Sequence, residues 1–520
     1  MKIDKAFQLA YQYYQAGDLN QASNVFKKIL RVQPRNVVAL HFLGGVCYQL
    51  GDYDSSIDYL KKVLQIDPSH ADAHHNLGVA LQAKGQLHKA ISFFRKAANL
   101  HPSSSQAYFS LANALKETGQ TDEAISCYRK LLEIEPDFVD AYNSLGNLMK
   151  KQGMVEEAIN CYQKALQINP VNPGILNNLG NVLYEAGCFD KALISYQDAL
   201  ELDPDYPYSH FHMSRLLLLS GNYKQGWKEY EWRWKTKDYF ERDFSQPRWN
   251  GSDISGRTIL LYTEQGLGDA IQFIRYVPLV VEHGATVIVE CQKELVSLFQ
   301  NVEGTKHVIT VGEQLPPFDV HCPLLSLPLK FDTTLETIPA GIPYIKANPF
   351  SIQKWKDRIL NAGPKLKLGL TWAGSPAHKN DRNRSFPLET FAPIAQSDGI
   401  IFYSLQVGEA AQQAKNAPKA MKLIDYTDEI NDFSDTAALI ENLDLVISVD
   451  TAVAHLAGAM GRPVWTLLPF APDWRWMLKR EDSPWYPTMK LFRQSSPGDW
   501  NSVINNVLKE LEIFIRNENR

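Results

Sequence analysis

The chain is poor in cysteine and has no motif built from it. Among its 520 residues are six cysteines, none in a CxxC pair, which leaves no zinc ribbon or disulfide framework to organise a fold. An excess of one charge is also missing: 53 Lys and Arg stand against 58 Asp and Glu, a net of -5, and this gives no basic footprint for nucleic acid. No segment approaches 18 consecutive apolar residues, so no membrane-spanning helix is expected. No GK[ST] follows a glycine turn, and no DxD-type cluster stands beside the motifs described below, so neither a P-loop nor a metal-held nucleotide is indicated. The N-terminal MKIDKAFQLAYQYYQ reads as an amphipathic helix rather than a signal peptide. The expectation is a cytoplasmic protein that needs neither metal nor cofactor.

What is present is a period. Pro34, Pro68, Pro102, Pro136, Pro170 and Pro204 follow one another every 34 residues. Glycines recur in the same slots of each interval, at Gly44, Gly78, Gly146 and Gly180, and then at the turn at Gly17, Gly51, Gly85, Gly119, Gly153, Gly187 and Gly221. A small residue follows each turn (Ala22, Ser56, Ala90, Ala124, Ala158, Ala192), and a ring or leucine comes next, such as Phe26, Leu60, Phe94 and Tyr128. Small residues let paired helices approach, the ring fills the space beside them, and proline ends each unit. This is the period of tetratricopeptide repeats, and it predicts an α-solenoid.

Asn113, Asn147 and Asn181 share one slot of successive first helices, with Asn76 and Asn178 three positions earlier in theirs. Amides in such a row either grip the backbone of an extended peptide, or are merely solvated or bonded within the array. The repeat stretches NLGNVLYEAG and AYNSLGNLMKKQGMVEEAINCYQKAL resemble the arms of protein O-GlcNAc transferases over residues 70–206.

The array fades in a seventh unit, where Gly226 takes the place of the small alanine and Asp238 stands where a proline is due. All eleven tryptophans lie at or beyond Trp227, so a different domain starts nearby. Repeats are therefore expected over 1–235, a linker over 236–256, and then alternating strands and helices. TILLYTE (258–264), a helix over 269–283, ATVIVEC (285–291) and a helix over 293–300 form one parallel series. KLGLTWAG (367–374), IIFYSLQV (400–407), LDLVISV (443–449) and PVWTLL (463–468) form a second. Two Rossmann-like halves follow, 257–360 and 361–520, separated around Pro349 to Pro364, with ligands expected at the carboxyl ends of strands.

Three motifs sit at those ends. In LDLVISVDTAVAHLAGAMGRP a strand runs into a helix of small residues, whose start exposes amides and a positive dipole end to an anion. Thr451 with the Ala452 and Val453 amides suits a diphosphate, Asp450 suits sugar hydroxyls, and His455 adds a donor. Alternatively, Asp450 or Thr451 only caps the helix and His455 packs inside. GSPAHKNDRNRSFPLETF supplies Lys379, Arg382 and Arg384, cations able to meet charge on a departing nucleotide. TEQGLGDAIQFIRYVPLV leaves Asp269 at a helix entrance, where it serves either as an N-cap or as a base for an acceptor hydroxyl. Asp473, Trp474 and Arg475 follow the strand PVWTLL and either shape a base or sugar pocket or pack in the core.

Together these motifs resemble the heptosyltransferase group (glycosyltransferase family 9) of GT-B glycosyltransferases over about residues 257–515. The resemblance implies Asp269 after Gly268 as catalytic base, and Arg384 three residues before Pro387 at the donor phosphates. It also implies Asp450, Thr451 and His455 in the donor site; Lys379, Arg382 and Asp473 are candidate donor contacts by their positions alone. Arg384 stands where lysine is usual and Phe386 where tryptophan is usual, while Pro278 lies further from Asp269 than in the family. DWRWMLKREDSPWYP (473–487) is similar to a bacterial branch that joins this domain to repeat arms. The implied function is an inverting, metal-independent glycosyltransferase acting on a protein hydroxyl recruited by the repeats. The repeat likeness points to UDP-GlcNAc as donor and the domain likeness to ADP-heptose. The alternatives are a non-catalytic scaffold with a degenerate nucleotide-sugar-binding domain, or a transferase for lipid or polysaccharide.

Overall fold

The computed structural model describes residues 3–359 and 365–518. The chain divides into two compact units, Met1–Val182 and Leu183–Arg520. Among the described residues, fourteen helices from Ile3–Gln15 to Tyr223–Tyr230 succeed one another in pairs as an α-solenoid. The last three, Phe189–Leu202, Pro207–Leu219 and Tyr223–Tyr230, belong wholly to the second unit.

The period has a direct steric cause. In the first unit the second helix of each pair ends at Val32, Ile66, Leu100, Ile134 and Ile168, two residues before the recurrent proline. Gly78 faces Phe94 so closely that a Cβ would lie 2.6 Å from the ring, and Gly146 faces Tyr162 in the same way at 2.8 Å. A larger residue at either position would force the paired helices apart.

Polar groups on the first helices close on neighbouring repeats about one period away. Asn76 Nδ2 and His41 Nε2 are 2.9 Å apart, His75 Nε2 and Ser110 Oγ 2.9 Å, and Asn178 donates to Asn143 at 3.0 Å.

The second unit carries two sheets of parallel strands. The first has the order β3-β2-β1-β4, from β1 (Thr258–Tyr262), β2 (Thr286–Cys291), β3 (Thr305–Thr310) and β4 (Val320–Pro323). The second has the order β10-β9-β8-β5-β6-β7, from β5 (Leu366–Thr371), β6 (Ile400–Ser404), β7 (Leu423–Asp425), β8 (Leu445–Val449), β9 (Val464–Leu468) and β10 (Met489–Arg493). β6, β8 and β9 are buried throughout and β5 is buried beyond Lys367, so they read as mainly apolar runs, as in GT-B-like α/β architecture. The core of the second sheet joins Leu370, Trp372, Phe386, Ile447, Leu467 and Trp500.

Several elements differ from the sequence expectation. β3, β4, β7 and β10 carry no long apolar run; β7 has three residues, and β3 places exposed Lys306 and His307 on a sheet edge. The helix expected over 269–283 is broken into Leu267–Phe273, a 3₁₀ turn at Ile274–Tyr276 and Val277–Glu282. Pro278 lacks the N–H that a continuous helix would use there, so a new helix begins around it. The expected separator holds the helix Pro349–Ile359, anchored on the second half by buried Trp355 and by Asn442 Nδ2, which donates to the Ile352 carbonyl at 3.0 Å. The part of that separator at 360–364 lies outside the described residues. Within the stretch read as a linker, the Trp249 N–H donates to the His321 carbonyl at 2.8 Å, which ties the segment to β4.

Candidate functional site

The second unit encloses a cavity of about 650 Å³ at the carboxyl ends of β5 and β8 and the start of the helix Leu267–Phe273. Sequence-distant motifs meet there: Asp269, Arg384, Asp450, Thr451, Ala452 and His455 all line it, and so does Asp473. The other two expected cations do not. Lys379 is exposed and pairs with Asp238 at 3.0 Å, and Arg382 reaches Glu185 at 3.2 Å.

Gly268 explains how the two halves come together. A Cβ there would lie 2.8 Å from His455 Cδ2 and 3.5 Å from Ala452 Cα, so glycine is what lets the helix Leu267–Phe273 lie against the helix Ala452–Ala459. The second helix starts directly after β8, with Thr451 as its N-cap residue. The Thr451 hydroxyl makes no capping bond and instead lies 3.0 Å from Ser448 Oγ. The Ala452 and Val453 amides belong to the first turn, where no intrahelical acceptor exists, and they line the cavity. Gly374 performs a similar service for Arg384, because a Cβ there would lie 2.5 Å from its guanidinium. Arg384 donates to the Asp450 carbonyl at 2.9 Å and to Asp381 at 3.3 Å. One corner of the cavity thus combines a helix N-terminus and a fixed guanidinium, groups that suit an anion.

Asp269 is engaged at both oxygens. The Gly266 N–H donates to Oδ2 at 2.9 Å, and Arg475 pairs with Oδ1. Arg475 also holds Asp473 at 2.7 Å and Gln272, making a buried network of two carboxylates around one guanidinium. Burial raises the pKa of Asp269 above the ordinary carboxyl range, with Arg475 opposing the shift. Burial acts on Asp473 in the same direction, but Arg475 and then Arg215 hold it below its usual value. Asp450 is raised by burial and by the negative charge of Asp473. His455 is buried, with Nδ1 2.8 Å from the Tyr486 hydroxyl and Nε2 3.8 Å from Asp450; burial and the nearby arginines lower its pKa well below the usual value, so its ring is neutral. Desolvation followed by Arg384 takes His378 down to about 4.

The repeat asparagines have a structural duty. Tyr128 donates its hydroxyl to Asn113 Oδ1 at 2.6 Å, and Tyr162 donates to Asn147 Oδ1 at 2.9 Å. The carbonyl of each amide thus accepts one bond inside the array, which leaves its NH₂ group and one lone pair for any peptide contact. Asn181 stands at the same slot of the next repeat.

Sequence reading did not single out Arg215, Gln406 or Thr371, all of which line the cavity. Gln406 accepts from the Trp372 and Ala373 amides at 3.0 and 2.9 Å, which shapes the turn after β5. A sequence signal for Arg215 did exist, since it falls 34 residues after Asn181. Glu264, at the end of the TILLYTE stretch, is outside the lining and is bound by the Arg233 fork at 2.9 Å on both oxygens.

Tetratricopeptide-repeat models match this chain in segments that run from residue 44 to residue 206. Glycosyltransferase family 9 (heptosyltransferase) matches residues 410–477, which include Asp450, Thr451, His455, Asp473 and Arg475. Protein FlbA of Caulobacter vibrioides is 27% identical over 328 residues, covering 58% of this chain and 55% of FlbA; the chain thus spans about half the length of that curated relative. Among solved structures, MamA is 29% identical with a TM-score of 0.31, covering 32% of this chain and 92% of MamA. YrrB, described as a TPR protein with an unusual peptide-binding site, is 19% identical with a TM-score of 0.34, covering 36% of this chain and 97% of YrrB. The chain joins tetratricopeptide repeats to an α/β unit that carries a glycosyltransferase family 9 segment.

Proposed function

We propose that this protein is an inverting, metal-independent glycosyltransferase that moves a sugar from a nucleotide-sugar donor to a hydroxyl of a protein acceptor recruited by the repeats. The observation that carries this reading is the convergence in one cavity of Asp269 from the first α/β half with Arg384, Asp450 and the Ala452 helix start from the second. The donor diphosphate lies on the Ala452 and Val453 amides and Arg384, which meet the charge that grows as the sugar–phosphate bond breaks. The acceptor oxygen attacks the anomeric carbon and passes its proton to Asp269, and the electron pair of the broken bond leaves on the phosphate. A carboxyl whose pKa is raised by burial suits that proton transfer, and Arg475 keeps Asp473 as a partner while Asp269 is neutral.

A second reading rests on the same carboxylate. Because both Asp269 oxygens are already engaged, a non-catalytic nucleotide-sugar-binding domain would keep the Asp269–Arg475 pair as a clamp between the two halves. Incubating the purified chain with a panel of nucleotide sugars and candidate acceptor proteins separates the two. A glycosyltransferase releases nucleotide and adds sugar mass to an acceptor; a domain that binds a nucleotide sugar without releasing or transferring anything is the clamp.

A further inference from the structure

Arg215 lies on the helix Pro207–Leu219 of the last repeat and lines the cavity together with His378 and Asp473. It is the next member of the slot occupied by Asn113, Asn147 and Asn181, with an obligate cation in place of an amide. The other two arginines of the lining are satisfied by protein acceptors: Arg384 by Asp381 and the Asp450 carbonyl, and Arg475 by Asp269, Asp473 and Gln272. Arg215 differs. Among the described residues its guanidinium makes neither a hydrogen bond nor an ion pair; it lies over the face of Tyr184, 5.5 Å from the ring centroid. Asp473 is the acid that senses it, yet that carboxylate is committed to Arg475 at 2.7 Å.

A guanidinium that faces a cavity without a protein acceptor is available to an anion there, and its five donors match phosphate oxygens in geometry and charge. Arg215 and Arg384 both act on His378, so the two cations border the same part of the cavity. We propose that Arg215 binds the anionic phosphate of the nucleotide-sugar donor, a second cation beside Arg384 that is supplied by the last repeat rather than by either α/β half. This rests on the reading of the cavity as a nucleotide-sugar site.

The test is calorimetric titration of the full chain with UDP, ADP, GDP and CDP and with the matching nucleosides. Wild type is compared with Arg215→Met, which keeps an unbranched side chain without charge, with Arg215→Lys, which keeps a charge, and with Arg384→Ala. For the nucleoside diphosphate that binds wild type, Arg215→Met should weaken binding by roughly 10- to 100-fold. The lysine variant should lose less, and affinity for the phosphate-free nucleoside should not change. Melting curves matching wild type confirm that the variants fold. Unchanged diphosphate affinity in Arg215→Met beside a clear loss in Arg384→Ala overturns the role of Arg215 and leaves the donor site standing. If transfer by Arg215→Met shows only a raised KM for acceptor protein, Arg215 belongs to the acceptor and the proposal is likewise overturned. If none of the four diphosphates binds wild type, the nucleotide-sugar reading and this proposal fall together.

Discussion

The two units treat buried polarity in opposite ways. In the repeat unit, polar side chains are neutral and settle their hydrogen bonds locally: Tyr128 on Asn113, Tyr162 on Asn147, His41 on Asn76. In the α/β unit they are charged and settle them across the chain, as Arg475 does with Asp269, 206 residues away. A local neutral bond can be copied from repeat to repeat at little risk. A buried guanidinium holding two carboxylates is a single device, and removing its centre strands the rest.

The sharpest way to break this contrast is at that centre. Arg475→Met leaves Asp269 and Asp473 buried without their shared cation, and the α/β unit should lose roughly 3–5 kcal/mol of stability. Helicity of the repeat unit should persist past that transition, which far-UV circular dichroism against denaturant would show. A single unchanged unfolding curve would mean that the network is not a stabilising clamp.

The next effect falls on activity. Asp269→Asn keeps a side chain able to accept from Gly266 but unable to take a proton, so transfer should drop by roughly 100-fold while nucleotide binding survives. Near-normal transfer by the folded variant removes Asp269 as base. His378, depressed to about 4, would then be a weak replacement.

Acid should sharpen the comparison further. His455 is held neutral in the folded state well below its usual pKa, while the unfolded chain takes up a proton at about 6.5. The folded state therefore binds fewer protons below that pH, and stability of the α/β unit should fall by about 1.4 kcal/mol per pH unit as pH drops from about 6.5 toward the folded value. Denaturant midpoints between pH 7 and 5, for wild type and His455→Gln, measure this. Equal slopes in both proteins would assign the acid response to other groups.

The smallest effect belongs to the repeats. Replacing Asn113 and Asn147 by alanine removes one hydrogen bond each from the Tyr128 and Tyr162 hydroxyls, at about 1 kcal/mol each. If the row also holds an acceptor, the triple change of Asn113, Asn147 and Asn181 should weaken transfer to protein while slow donor hydrolysis stays constant. A loss of stability with no change in transfer would leave the row a packing device.

Legibility follows the same division. The 34-residue period revealed the repeats because each glycine, ring and proline answers a steric need within its own or the adjoining helix, as Gly78 does under Phe94. The runs of β5, β6, β8 and β9 were legible because buried strands must be mainly apolar, whereas three-residue β7 and edge strand β3 face no such demand. The turn residues Asp269, Arg384 and Asp450 stood out by type and position, yet Lys379 and Arg382, equally basic and equally near, turn away to Asp238 and Glu185.

By itself the sequence determined the solenoid, the parallel α/β series and the helix start at Ala452, because spacing along one chain dictates local geometry. Only the tertiary structure decided which charges share a cavity. It brought Arg475 to Asp269 and made Gly268 the point where two helices touch, because desolvated charges are paired by distance in space, which no sequence interval encodes.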